Sequence, residues 1–232
     1  MTTSRTSARR GPSRGGRLIT VFASLLTALM AWAPGAVADT GPTLRDASLQ
    51  TLSPGDPIFS SGARCTAGFN VTDGTDVFLV TAGHCTSVGS DWYADPQHTL
   101  PIGPAVSSSF PGNDYGLIRY DNPDLTPEGG YSFGSPYVGK QVYITIPETG
   151  TLGGTITGLN ATVDYGPDGI VHGLIRTNLC LPTGARGGTP LFAPNNQAVG
   201  IASGGSGSCS SGGTSYFQPL DEVLSSFGLV LY

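Results

Sequence analysis

From residue 52 onwards, short apolar and β-branched runs are broken at close intervals by Gly, Pro, Asn or Asp. This is the pattern of strands joined by tight turns, and few stretches carry a helical period. Strands are expected over 65–71, 77–81, 116–120, 141–146, 154–163, 171–178, 198–203 and 214–218. The tail 219–227 reads as a short helix, with Pro219 at its start and Asp221 and Glu222 placed toward the positive end of its dipole. The chain is therefore expected to be all-β, with one barrel over about 52–120 and a second over about 139–217. The Pro- and Gly-rich stretch 122–136 would join them.

The N-terminus changes the picture of the whole chain. Residues 1–38 hold five arginines and no acid, then an apolar segment from Leu18 to Trp32, then Ala36-Val37-Ala38 before Asp39. That order reads as a signal peptide over 1–38, too short and too well followed by a cleavage site for a membrane anchor. Its removal takes five of the eleven basic residues and leaves six against sixteen acidic ones, so the formal net charge moves from −5 to −10. A secreted, extracellular, monomeric protein is expected, without a nucleic-acid partner and without membrane attachment after cleavage. Residues 39–51 read as a short polar leader ahead of a folded body over 52–232.

Candidate chemistry sits at three places. Thr81-Ala82-Gly83-His84-Cys85 follows the apolar run 77–80, so a strand delivers His84 at its end. Asn113-Asp114-Tyr115-Gly116 places an acid in a turn before the next strand. Cys180-Leu181-Pro182-Thr183-Gly184-Ala185-Arg186-Gly187-Gly188 has the frame of a nucleophile loop, with Arg186 where a serine would attack. Ser203-Gly204-Gly205 and Gly212-Gly213-Thr214 supply bare backbone against which a peptide can lie. The order His, Asp, then a glycine-rich loop is that of the His-Asp-Ser triad. Zinc and other cofactors are not expected: the four cysteines lack C-x-x-C spacing, and His84, His98 and His172 are scattered. Tyr115, His98, His172 and the serines at 107–109 and 206–211 read as packing or solvated loops.

Over 52–232 the sequence resembles the streptogrisin-type bacterial chymotrypsin-like serine proteases. The resemblance runs through Arg64-Cys65, Gly68-Phe69-Asn70, the motif at 81–85, Asp114-Tyr115-Gly116, the run 158–166, Ile175-Arg176-Thr177-Asn178, the stretch 204–213 and Phe217-Gln218-Pro219. It implies two six-stranded antiparallel β-barrels of the chymotrypsin type with a short C-terminal helix. It also implies His84 as general base, Asp114 as the acid that orients it, and Gly184, Ala185 and Arg186 as the oxyanion loop. Ser203, Gly204, Gly205, Gly212, Gly213 and Thr214 would be the walls of the substrate pocket. The disulfides implied are Cys65–Cys85 and Cys180–Cys209. The family is usually made with a long pro-segment, for which a leader of 39–51 leaves no room.

The family's loop reads Gly-Asp-Ser-Gly-Gly, and here it reads Gly184-Ala185-Arg186-Gly187-Gly188. A guanidinium carries donors only and has no lone pair with which to attack a carbonyl. In the family the lost aspartate is a buried charge that needs a basic partner. Between residues 141 and 175 the chain has no lysine or arginine, as expected of a scaffold adapted to losing both members of the pair. Two readings follow. The chain is a secreted serine-endopeptidase homologue without activity that binds a peptide or protein in the old cleft. Alternatively, it is an active endopeptidase preferring large apolar residues, with residues 185–186 altered by a compensated frameshift or sequence error.

Overall fold

Val77–Thr81 forms as expected, with Leu79, Val80 and Thr81 buried, and it fixes the centre of the first barrel by pairing with Asn70–Thr72 on one side and Tyr115–Arg119 on the other. The computed structural model describes residues 49–147 and 149–232. The predicted signal peptide and residues 39–48 of the predicted leader lie outside the described residues.

The strand expected over 65–71 is bent. Ala63–Thr66 pairs with Pro57–Ser60, whereas Asn70–Thr72 pairs with Val77–Thr81. Between the halves the chain turns while Gly68 N–H donates to the Val80 carbonyl at 2.9 Å. The two halves thus lie toward opposite ends of one eight-stranded order, 230–231, 70–72, 77–81, 115–119, 101–109, 91–93, 57–60 and 63–66. The covalent bend closes that sheet into a barrel. Counted as one, the bent strand makes the ring six-stranded, with the C-terminal Val230–Leu231 added at its edge.

The second barrel contains Gln141–Ile146, Gly150–Asp164, Ile170–Thr177, Pro190–Ala193, Gln197–Ser208 and Gly212–Pro219. It closes because Gln197–Ser208 pairs with both Pro190–Ala193 and Gly212–Pro219. Ser132–Phe133 joins it as a short parallel strand. The six-stranded barrels and the C-terminal helix are as expected, but several bounds differ. Gln50–Leu52 pairs in parallel with Leu125–Pro127, so the end of the predicted leader and part of the predicted crossover are strand. The serines at 107–109 belong to the strand Pro101–Ser109 and not to a loop. Pro219 caps the helix Leu220–Phe227, which stops at Gly228 in the left-handed region with φ 65°.

Apolar side chains fill three linked regions. Ile58, Leu79, Trp92, Ile102 and Ile118 pack inside the first barrel. Ile144, Ile156, Ile175, Leu191, Val199 and Phe217 pack inside the second. Phe69, Val80, Leu117, Phe192, Ile201 and Leu220 lie between them, with Phe69 and Phe192 edge to face at 5.2 Å. The barrels therefore share a core and hold the cleft between them rigidly.

Both implied disulfides are present, Cys65–Cys85 and Cys180–Cys209, closing sequence separations of 20 and 29 residues. Each contributes roughly 3 kcal/mol through the unfolded chain. Thiol titration of the native, unreduced protein is expected to find no free cysteine, and a titratable thiol would contradict these pairings.

Candidate active site

His84 is carried on a one-turn helix, Gly83–Thr86, which directly follows the strand Val77–Thr81. Ser108 Oγ–H supports that turn by donating to the Gly83 carbonyl at 3.0 Å. His84 Nδ1 lies 3.0 and 2.9 Å from the two carboxylate oxygens of Asp114, and the His84 backbone N–H also donates to Asp114 Oδ1 at 2.9 Å. Asp114 is fully buried, while a third of the His84 side chain is open to the cleft. The sequence motifs thus come together as an acid–imidazole dyad. Nδ1 supplies the proton to the carboxylate, which leaves Nε2 as the outward nitrogen.

Ser203 is part of the support of this dyad. Its Oγ–H donates to Asp114 Oδ2 at 2.6 Å, and Tyr165 OH lies 3.0 Å from the same Oγ. The serine's single proton is directed at the carboxylate, so the Tyr165 hydroxyl is the donor in the second bond. Burial pushes the Tyr165 phenol up from its usual range, and the Asp114 carboxylate adds to the shift, which keeps it a neutral donor. On the other side, Asp114 N–H donates to Gln218 Oε1 at 2.8 Å, and Gln218 Nε2 donates to Glu222 at 2.8 Å. Tyr165 and Gln218 lie in the stretches 158–166 and 217–219 that carry the family resemblance, but neither is assigned a role in the site from the sequence.

The loop after Pro182 contains no attacking group. Its turn is closed by Ala185 N–H donating to the Pro182 carbonyl at 3.1 Å, with Gly184 at φ 112°, a conformation reserved for glycine. Arg186 N–H donates to Thr189 Oγ1 at 3.2 Å, and that hydroxyl donates back to the Arg186 carbonyl at 2.8 Å. Of the expected oxyanion loop, Ala185 and Arg186 therefore spend their N–H groups within the loop because Thr189 and Pro182 offer acceptors there. The methyl of Ala185 packs against the core of the second barrel, where the family carries a carboxylate. The buried Lys140 is bonded to the Ser135 carbonyl and to Gln197 instead. Gly187 backs onto the imidazole so closely that any side chain there would collide with His84 Nε2 and Cε1. Among the described residues, no hydroxyl is hydrogen-bonded to Nε2.

Three cavities meet at this site. One of about 240 Å³ is lined by Leu181, Ala185, Arg186, Ser203, Gly205 and Thr214 among others. A second, of about 420 Å³, is bordered by His84, Val88, Phe110, Tyr165 and Asp168. A third, of about 130 Å³, lies past the loop beside Arg64, Cys65, Ile146 and Arg186. Ser203, Gly204, Gly205, Ser206, Gly207 and Thr214 line the first cavity, whereas Gly212 and Gly213 are not among its lining residues. They pair with Ser208 and Gly207 at the far end of the hairpin, and Gly213 lies against Cys180. Among the described residues no three His, Cys, Asp or Glu side chains cluster to hold a metal.

No family model matches the chain. Comparison with individual proteins is informative. It is 43% identical over 175 residues to Serine protease 2 of Streptomyces fradiae, an alignment covering 70% of this chain and 99% of that protein. It is 41% identical over 187 residues to Streptogrisin-A of Streptomyces griseus, covering 76% of this chain and 60% of that one, so it spans less than two thirds of that relative's length. Among solved structures, Alpha-lytic protease homolog N4 superposes with a TM-score of 0.72 at 34% identity, covering 79% of this chain and all of the other. With the same dyad motifs, paired barrels and disulfides in one chain, these similarities establish that it belongs to the streptogrisin-type chymotrypsin-like serine proteases.

Proposed function

We propose that this protein is a pseudoprotease: an exported member of a serine-endopeptidase family that has lost the reaction and keeps the cleft as a binding site for peptide or protein. The observation that carries this reading is the surroundings of His84 Nε2, where the backbone of Gly187 lies close and, among the described residues, no hydroxyl is hydrogen-bonded to it. A general base without a nucleophile to deprotonate cannot start acyl transfer. Ser203 is not a substitute, since its proton is held by Asp114. The N-terminal segment read as a signal peptide and the two disulfides support export, and the partner is a peptide or protein met by a monomer outside the cell.

The intact dyad favours a second reading. His84, Asp114, Ser203 and Tyr165 form a complete positioning network with nothing to act on. If the gene encodes Asp and Ser at 185 and 186, the chain is an active secreted endopeptidase, and the first cavity, which has no carboxylate on its wall, suits large apolar side chains. Resequencing codons 180–190 separates the two.

For the chain as it stands, a phosphonofluoridate serine-hydrolase probe is expected to leave the protein unlabelled, because no serine is activated. Intact-mass spectrometry reads the result. Stoichiometric labelling of Ser203, or of any other serine, would overturn the pseudoprotease reading.

A further inference from the structure

Arg186 is the one residue common to the walls of the 240 Å³ and 130 Å³ cavities, so it stands as the partition between them. Among the described residues, neither wall carries a carboxylate. The basic side chains of residues 49–232 are Arg64, Arg119, Lys140, Arg176 and Arg186. Arg119 is held by Asp121, Lys140 by Ser135 and Gln197, and Arg176 by Thr157. The Arg186 side chain is exposed, and among the described residues its guanidinium makes no hydrogen bond or ion pair. In a chain with so large an acidic excess, a guanidinium without a carboxylate partner among the described residues is poised for a ligand's.

We infer that the cleft recognises the carboxyl end of a peptide, with the α-carboxylate taken by Arg186 on its Arg64 side. This rests on the peptide-binding reading and narrows it. A guanidinium matches a carboxylate with two parallel charge-assisted hydrogen bonds. A chain running on from the first cavity to the third would have to cross the partition and cover the guanidinium without neutralising it, which is costly. A chain that ends at the partition brings its own negative charge to that point. The 240 Å³ cavity falls below the roughly 300–1,000 Å³ of sites that enclose drug-sized ligands, a size suited to one side chain. Upstream residues then lie along Val88, Phe110 and Tyr165, the apolar and aromatic part of a wall that also carries His84 and Asp168. The machinery of the family is thereby turned from passing a chain through to reading where a chain stops.

The test is fluorescence anisotropy with the mature exported chain and N-terminally fluorescein-labelled Gly-Ala-Ala-Phe. Four probes are compared: the free acid, its C-terminal amide, the same sequence extended by two alanines and amidated, and Gly-Ala-Ala-Glu amide. The free acid is expected to bind at least about tenfold more tightly than the other three, the value of a charge-assisted hydrogen bond. That preference should disappear in Arg186→Met, whose fold is checked by near-ultraviolet circular dichroism. Equal binding of acid and amide, or tightest binding of the extended probe, overturns the inference while leaving peptide binding in place. Preference for the glutamate amide shows a side-chain carboxylate being read and overturns it too, as does a preference that survives in Arg186→Met. Binding of none of the four overturns both this inference and the binding function on which it rests.

Discussion

The double variant Ala185→Asp/Arg186→Ser is expected to fold less stably than the parent and to hydrolyse an apolar peptide ester or anilide only weakly. Ala185 is part-buried against the apolar core of the second barrel. A carboxylate there has no evident basic partner within the second barrel, since the buried Lys140 is bonded to Ser135 and Gln197 and residues 141–175 contain no lysine or arginine. Leaving one member of a buried pair uncompensated costs about 3–5 kcal/mol, and partial exposure of the site puts this case at the lower end. For a domain of this size, about 3 kcal/mol lowers the melting temperature by roughly 6–12 °C. Supplying an arginine from the strand Gln141–Ile146 should recover most of it. Arg186→Ser alone restores a hydroxyl but leaves the loop's N–H groups tied to Pro182 and Thr189. Missing one oxyanion donor costs about 10²–10³ in rate, so weak hydrolysis is the ceiling. Thermal melting and chromogenic assay read both quantities. A double variant as stable as the parent and as fast as an ordinary protease would refute the idea that this scaffold has adapted, and would favour a compensated frameshift at 185–186.

Asp114→Ala is expected to destabilise the protein, whatever its effect on activity. The fully buried carboxylate accepts from His84 N–H, His84 Nδ1–H and Ser203 Oγ–H. Stranding a buried donor costs about 1–3 kcal/mol, but Nδ1 is near solvent and Ser203 can rotate, so a total of about 3 kcal/mol is expected. Urea unfolding measures it. A variant that keeps the parent's midpoint would mean that the dyad is a relic rather than a tie in the fold.

The parts legible in the sequence were those whose signal is local. The strand at 77–81 is a continuous apolar run that ends in a motif, and both His84 and Asp114 stand in recognisable turns. Pro101–Ser109 was hidden because its prolines, glycine and serines read as loop, and it becomes strand only through pairing with Tyr115–Arg119. Gln50–Leu52 and Leu125–Pro127 are too short to stand without each other. Gln218 was invisible as a site residue because its bond to Asp114 spans 104 positions. Glycines 212 and 213 show a different limit. Bare backbone looks alike in a pocket wall and at a hairpin tip, and only the register against Gly207 and Ser208 tells them apart.

The strand Val230–Leu231 belongs by sequence to the end of the chain, yet it pairs with Thr72 and Val71 of the first barrel. The first barrel is therefore completed by residues that follow the whole of the second in the chain. Its edge stays open until residues 230–231 are in place, and closing so long a loop is slow because the entropy is spent before the contact forms. During that interval the unpaired edge at 70–72 is available to other chains. A few residues at the C-terminus thus act as the seal on a barrel made at the beginning, and their loss would be felt far from where they are encoded.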